Sequence, residues 1–435
     1  MERLLVYQQK WNRIADQSLF SALDTESRDT LEMLFFRYGF TFQEFRELVT
    51  ASRDLSMWEE TSLGEWWIGE QASLPANKHA FLSRFRSWFA GVRDREKTYS
   101  KESLDSKESL DSTQPAGSPV YRPRGVKIRL VKSKKSISGL CPVASPETVC
   151  CLLRTIDAAE TCPFGCTYCS IQTFYERHGR EAVFDRDFGK KLEAIQLDPG
   201  RFYHFGSGQA SDSLVWGNRF GILSDLLSFA DSRPNILLEL KTKSRNIAYL
   251  LDRPIPRNVV CSWSLNPDSV IANEEFFTPA LSQRLEAARA VADRGIKVAF
   301  HFHPMVYYRG WRQEYRELGE KVLSMFRPEE VVFVSYGSVT LIRPVIKAIR
   351  KWGGKSKILQ MPMAPDPKGK LTYPDSIKVV LFRHIHQVFE PWHGSVFFYL
   401  CMEKRAIWEQ VFDSVYVSNE EFEEDFGRKT MSRLD

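Results

Sequence analysis

The chain has 435 residues, 43% of them hydrophobic and 26% charged, with a formal net charge of +5. This is an ordinary globular composition, long enough for two domains, and so mild a charge does not by itself declare a nucleic-acid partner. No run approaches the ~20 apolar residues of a membrane span, and MERLLVYQQKWNRIAD lacks a signal-peptide core, so no membrane partner is expected. Eight cysteines in so long a chain do not make a disulfide scaffold, and their clustering points to a reducing cytoplasm.

Residues 1–96 read as an all-α domain of unassigned role. Thr41-Phe42-Gln43-Glu44 is a capping-box pattern, and Gly39 suits the end of the helix before it. Leu31, Leu34, Phe35 and Tyr38 recur at helical spacing, as do Phe81, Phe85 and Phe89. The Trp-rich stretch around Trp58, Trp66 and Trp67 is expected in the core. Residues 97–121 carry KESLDS twice in tandem and then Pro and Gly, the composition of a flexible linker. Next come Arg122, Arg124, Lys127, Arg129, Lys132, Lys134 and Lys135 with no acid among them. Such an arm either neutralises phosphates or is an edge strand protected by lysines, the second reading being slightly favoured.

From 122 to 435 a second domain is expected, with a C-terminal extension. Six short apolar runs (149–156, 201–205, 236–240, 259–265, 297–302 and 331–336) alternate with amphipathic segments. Repeated β-then-α units predict an α/β fold, a partial (β/α)6 barrel whose chemistry sits on loops at the C-terminal strand ends. The first run feeds Cys162-Pro163-Phe164-Gly165-Cys166-Thr167-Tyr168-Cys169. The others end in Gly206-Ser207-Gly208-Gln209-Ala210-Ser211-Asp212, in Thr242-Lys243-Ser244, in Ser264-Leu265-Asn266 and in His301-Phe302-His303-Pro304.

Three thiolates at C-x3-C-x2-C spacing can hold a [4Fe–4S] cluster and leave one iron open. The alternative is a structural zinc knuckle, for which no second ligand half stands nearby. The motif, with Tyr168 just before its third cysteine, resembles the radical SAM superfamily. Residues 150–345 are similar to the spore photoproduct lyase family in the cysteine motif, in Phe205–Asp212, Thr242-Lys243 and Trp263–Asn266, and in Arg284–Pro304. The resemblance implies Cys162, Cys166 and Cys169 as cluster ligands and S-adenosylmethionine (SAM) on the open iron. It implies Tyr168 and the backbone near His303 beside the adenosine, Ser211, Lys243 and Ser264 at the methionine carboxylate, and Gly206, Ser207 and Gly208 at the amine. It also implies cleavage of SAM to a 5′-deoxyadenosyl radical, a nucleic-acid lesion as substrate, and a one-electron reductant such as flavodoxin or ferredoxin.

The chain departs from that family at two positions. Gln209 stands where the family has its hydrogen-donating cysteine, and Ser170 stands where it has a tyrosine. Cys401 is the candidate replacement donor and Tyr168 the second candidate catalytic residue; a buried core cysteine is the plainer reading of Cys401. Tyr307, Tyr308, Arg309 and Trp311 either clamp a base or form their own loop core. Radical chemistry on a different substrate, and a non-catalytic iron–sulfur protein, stay open as alternatives.

Overall fold

The computed structural model describes residues 11, 20, 23–58, 61–70, 77–102, 126–141, 147–175, 181–352 and 356–434. The chain divides into two compact units, residues 1–119 with 343–363 and residues 120–342 with 364–435.

The first unit is helical: α1 (Thr25–Tyr38), α2 (Phe42–Trp58), α3 (Leu63–Glu70) and α4 (Lys78–Glu102). The capping box forms as read, with the Thr41 amide donating to Glu44 Oε2 at 2.7 Å and the Glu44 amide to Thr41 Oγ1 at 3.3 Å. Gly39 closes α1 at φ 65°, where a side chain would be strained. Leu31, Leu34, Phe35, Trp66, Trp67, Phe81 and Phe85 are buried together. Helix α4 continues to Glu102, past the boundary expected at 96. The rest of the expected linker, with Arg122 and Arg124, lies outside the described residues. Residues 343–363 join this unit rather than the barrel, and Arg350 on the helix Arg343–Trp352 pairs with half-buried Asp54 of α2 at 3.1 Å.

The second unit carries strands β1 (Lys127–Val131), β2 (Ser138–Leu140), β3 (Thr148–Val149), β4 (Arg154–Ile156), β5 (Ala159–Glu160), β6 (Gly165–Cys166), β7 (Glu181–Asp185), β8 (Tyr203–Ser207), β9 (Ile236–Thr242), β10 (Val259–Ser264), β11 (Glu275–Phe276), β12 (Val298–Met305), β13 (Val331–Ser338), β14 (Thr340–Leu341), β15 (Ala364–Pro365), β16 (Leu371–Thr372), β17 (Phe397–Leu400) and β18 (Glu403–Lys404). Eight of them form one curled half-barrel sheet in the order β17-β13-β12-β10-β9-β8-β4-β2. Within it, only the β2–β4 ladder is antiparallel. The six expected runs are β4, β8, β9, β10, β12 and β13, apolar almost throughout because helices cover the outer face of the parallel sheet. Strand β17 adds a seventh parallel member, register Phe333↔Phe397 to Tyr336↔Leu400, that the periodicity did not separate from its apolar surroundings.

The described part of the basic arm contains an edge strand, β1. β1 flanks β7 in a separate three-stranded sheet. Arg129 pairs with Glu181 at 2.9 Å and Lys135 with Glu160 at 2.6 Å. The aromatic loop after β12 is core: Tyr308 and Trp311 are buried, and the Tyr308 hydroxyl donates to Glu314 Oε2 at 2.9 Å. No helix among the described residues is long and apolar enough to cross a membrane.

Candidate active site

Side chains alternate along a strand, so Glu239 and Lys241 share the inner face of β9, with Lys243 just past its end. Glu239 fixes the direction of that face by gathering partners from three other strands. It accepts from His204 Nε2 at 2.9 Å, from Ser262 Oγ at 2.5 Å and from His301 Nε2. Burial, with nearby Lys241, pushes His301 down to about 4, so its ring is neutral at pH 7. Burial would lift the Glu239 carboxyl, but His301 and His204 hold it well below the usual range. The chain of bonds continues through His301 Nδ1 to Ser335 Oγ at 2.5 Å and from Ser335 to His303 Nε2 at 3.0 Å. Donation by His301 Nε2–H to a carboxylate leaves its Nδ1 as the acceptor. His303 is thereby anchored at the C-terminal end of β12, and Gly337 leaves its ring room: a Cβ there would sit 3.0 Å from His303 Nε2.

The cysteine loop is clamped onto the segment after β10. β6 pairs with β11, Cys166 opposite Glu275. The Thr167 amide donates to the Glu274 carbonyl at 2.8 Å, and its hydroxyl bonds the Glu274 carboxylate. The Tyr168 hydroxyl donates to Glu275 Oε1 at 2.5 Å, and Asn266 Nδ2 donates to the same atom at 2.8 Å. Arg284 pairs with Glu275 Oε2 at 2.6 Å, both side chains 0% exposed. The Glu275 carboxyl, which burial alone would raise, is held below its ordinary value by Arg284 and Lys243.

Lys243 reaches the loop from the end of β9. Its ammonium stands 5.8 Å from the Tyr168 ring centre. Its charge pulls down both Cys166, which burial pushes up to about 12, and Cys169, which burial also raises. The Asp212 charge adds to burial in raising Cys162. The Asp212 carboxylate is itself the organiser of this corner. It accepts from Thr242 Oγ1 at 2.7 Å, from the Lys243 amide at 2.7 Å, and from the Leu214 and Val215 amides at 3.1 and 2.9 Å.

The structure therefore brings Cys162, Cys166, Cys169, Tyr168 and Lys243 together, with Ser264 and His303 on the same sheet face. It does not bring in every expected side chain. Ser207, with Phe205, points to the outer face and bonds Ser213 Oγ at 2.7 Å, and the Ser211 hydroxyl accepts from Trp216 Nε1 at 2.8 Å. Both line a cavity of about 20 Å³ beside the helix Ile222–Asp231, room for one water at most. Gly206 and Gly208 are required by the protein's own packing. A Cβ on Gly206 would meet Leu153 at 2.9 Å, and one on Gly208 (φ 95°) would meet Ser213 Oγ at 2.7 Å. The Tyr168 hydroxyl is committed to Glu275. Cys401 follows β17 on the inner face, where Lys241 lies within electrostatic reach and burial raises its thiol.

Glu239, Glu275 and Arg284 went unread in the sequence. Two signals were available: an acid inside the apolar run Ile236-Leu237-Leu238-Glu239-Leu240, and an arginine on the Leu281, Leu285, Ala288 face of its helix.

The donor set suits a cluster. Among the described residues, no group of three His, Cys, Asp or Glu side chains is already drawn in around a single metal ion, the loop thiols included. The three loop thiols nonetheless sense one another's charge. Buried thiols pushed this far up ionise when a cationic centre compensates them. The Lys243 ammonium beside them provides for a carboxylate-bearing cofactor.

The spore photoproduct lyase family model matches residues 154–358. A spore photoproduct lyase of Bacillus subtilis (strain 168) is 36% identical over 94 residues, 22% of this chain and 27% of that protein. One from Geobacillus sp. (strain Y412MC61) is 27% identical over 170 residues, 38% of this chain and 50% of that protein. The matched segments thus span half or less of these relatives' lengths. Among solved structures, a spore photoproduct lyase double mutant with bound AdoMet and dinucleoside spore photoproduct aligns at TM-score 0.53 and 19% identity, covering 63% of this chain and 81% of that one. A spore photoproduct lyase complexed with dinucleoside spore photoproduct aligns at TM-score 0.53 and 19% identity, covering 63% and 82%. At that identity the likeness shows the shared fold. Residues 154–358, just under half of the chain, are thus similar to the spore photoproduct lyase family, the family whose likeness the cysteine motif and the strand-end residues already carry.

Proposed function

We propose that this chain is a radical SAM enzyme that reductively cleaves SAM and acts on damaged nucleic acid. The observation that carries the reading is the meeting of the three-thiol loop with the Lys243 ammonium at the mouth of the barrel. When bound, the cluster supplies one electron to the SAM sulfonium, giving methionine and a 5′-deoxyadenosyl radical. In this reading Cys162, Cys166 and Cys169 hold three irons and Lys243 pairs with the methionine carboxylate. The Ser264 hydroxyl adds a donor, and the backbone at Gly206, Ser207, Gly208 and Ser211 borders the amine. Tyr168, locked by Glu275, presents its ring rather than its hydroxyl, and the bonds from Glu239 to His303 hold that histidine beside the adenosine.

Two solved structures of spore photoproduct lyase hold dinucleoside spore photoproduct, which supports a DNA lesion as substrate. With Gln209 in place of the family's cysteine, the returned hydrogen needs another source. Cys401, on the inner sheet face, is the donor in this reading. A one-electron reductant of the flavodoxin or ferredoxin class and a cytoplasmic setting complete it. A second reading, the same chemistry on a substrate without phosphates, is favoured by the neutralisation of Arg129 and Lys135 through Glu181 and Glu160.

Anaerobic reconstitution with iron and sulfide, then dithionite and SAM, should yield 5′-deoxyadenosine, and dinucleoside spore photoproduct should stimulate it. Stimulation absent with the lesion but present with a non-nucleic substrate selects the second reading. A fully formed cluster without 5′-deoxyadenosine would make the chain a non-catalytic iron–sulfur protein.

A further inference from the structure

Four cysteines outside the cluster loop gather where the two ends of the curled sheet meet. β18 runs antiparallel to β3, Glu403 facing Val149 and Lys404 facing Thr148. Two residues further along the same segments stand Cys401 and Cys151. Cys141 closes the group, its amide donating to the Leu153 carbonyl at 2.9 Å, and the Cys401 amide donates to the Tyr336 carbonyl at 2.8 Å. The residue after each facing cysteine is left-handed without being glycine: Leu152 at φ 49° and Met402 at φ 62°. Backbone held in that region is costly and aims side chains that regular strands would turn elsewhere. The Cys150 amide is fixed by Asn419 Oδ1 at 3.0 Å.

Within the group the thiols are unequal. Cys150 and Cys151 are both buried and hydrogen-bonded to each other. That bond draws Cys150 down to about 7, while the hydrogen bond and burial keep Cys151 well above its ordinary value. The Cys151 S–H thus donates to the Cys150 sulfur, which is the more readily ionised of the two. The charge of Cys401 is felt at Cys151, and Cys401 also lies within electrostatic reach of Lys241 on the inner sheet face.

We propose that Cys401, Cys151 and Cys150 form a thiol relay that carries the unpaired electron away from the barrel face after each hydrogen transfer. The proposal rests on the radical SAM reading of the site. A carbon radical takes the hydrogen atom of the Cys401 S–H, giving a C–H bond and a Cys401 thiyl. The thiyl takes the hydrogen atom of the Cys151 S–H, restoring the Cys401 thiol. The Cys151 thiyl then shares a three-electron S–S bond with the Cys150 thiolate, a disulfide radical anion. One electron from the flavodoxin- or ferredoxin-class reductant and one proton from solvent return it to one thiol and one thiolate. Two sulfurs already in hydrogen-bond contact accommodate that bond without the backbone closing a vicinal disulfide ring. That contact also separates the pair from a metal site, whose thiolates stand apart around the ion.

Cluster-loaded protein in deuterated buffer, with SAM and dithionite alone, tests this without knowledge of the substrate. The 5′-deoxyadenosyl radical then draws on the protein's exchangeable thiol. Deuterium should appear in 5′-deoxyadenosine and fall at least fivefold in Cys401→Ala. Cys151→Ala should keep the deuterium of the first turnover but stop near one 5′-deoxyadenosine per chain, where wild type continues. In the wild-type protein, mild diamide should link Cys401 to Cys151 or Cys150 in peptide maps, a readout independent of any variant's folding. Unchanged deuterium in Cys401→Ala, undiminished turnover in Cys151→Ala, or no such cross-link sinks the relay alone. About eight irons per chain instead of four would assign these thiols to a second cluster and overturn the relay. Absence of 5′-deoxyadenosine from cluster-loaded wild type sinks the underlying reading of the site as well.

Discussion

Replacing Arg284 by Met tests the clamp behind the cysteine loop. Arg284 is fully buried, donates to the Pro279 and Ser264 carbonyls at 3.0 Å each and to Thr278 Oγ1 at 2.7 Å, and pairs with Glu275 at 2.6 Å. Methionine keeps most of the apolar stem but strands the Glu275 carboxylate at 0% exposure. Removing one partner of a buried pair costs about 3–5 kcal/mol. Neutralising the survivor should recover part of this, so Arg284→Met/Glu275→Gln is expected to be about 2 kcal/mol more stable than Arg284→Met alone. The deficit should also depend on pH. In wild type Glu275 sits below its unfolded value, so its contribution is present at neutral pH and lost only as pH falls through the depressed folded value. Without Arg284, burial raises it, the native state takes up a proton the unfolded chain releases, and the variant regains stability as pH falls from 8 to 5. Urea denaturation of both variants at those two pH values gives the numbers. A cost below about 1 kcal/mol at pH 8, or a double variant no better than the single, would refute the reasoning.

Three other outcomes are expected. Gly208→Ala combines φ 95° with a Cβ 2.7 Å from Ser213 Oγ and 2.8 Å from the Lys241 carbonyl, and should cost about 2–4 kcal/mol in thermal or urea unfolding. Lys243→Met should weaken SAM binding to the cluster-loaded protein by about 10–100-fold in equilibrium dialysis, the worth of one charge-assisted contact, while leaving iron content unchanged. Asp54, lifted by burial from 3.8 to about 6, binds a proton in the folded helical unit that the unfolded chain has already released between those values. Wild-type stability relative to Asp54→Asn should therefore decline by up to about 3 kcal/mol from pH 4 to pH 7; a difference independent of pH would show that Arg350 fully compensates the charge.

Period and spacing made much of the barrel legible in the chain itself. Six buried parallel strands announced themselves as apolar runs, the Thr41–Glu44 cap as a pattern, and the cysteine loop as three thiols in eight residues. Lys243 could be placed because it ends one of those runs. What escaped was whatever depends on which face a residue takes after tertiary closure. Ser207 and Ser211 sit in the small-residue turn that sequence assigns to a ligand, yet the pleat sends one to the outer face and Trp216 engages the other. Gly206 and Gly208 read as a ligand cradle, and the folded chain adds a reason of its own for their smallness, since Leu153 and Ser213 occupy the space a Cβ would need. The converse holds for Glu239: an acid in an apolar run reads as a local oddity until His204 and His301 arrive from strands 35 and 62 residues away. Cys401 and Cys151 are distant in the chain, and only the β3–β18 ladder makes them neighbours.

The helix Asn419–Met431 underlies the polar well. Phe426 stacks on the His204 ring at 4.8 Å and meets Phe333 at 5.7 Å, one layer beneath the Glu239 network. Gly427 is small because a Cβ would stand 2.6 Å from the Phe202 ring. Without this floor the histidines and Glu239 would face water from below, so the dry setting that keeps His301 neutral depends on a helix more than a hundred residues along the chain from that histidine.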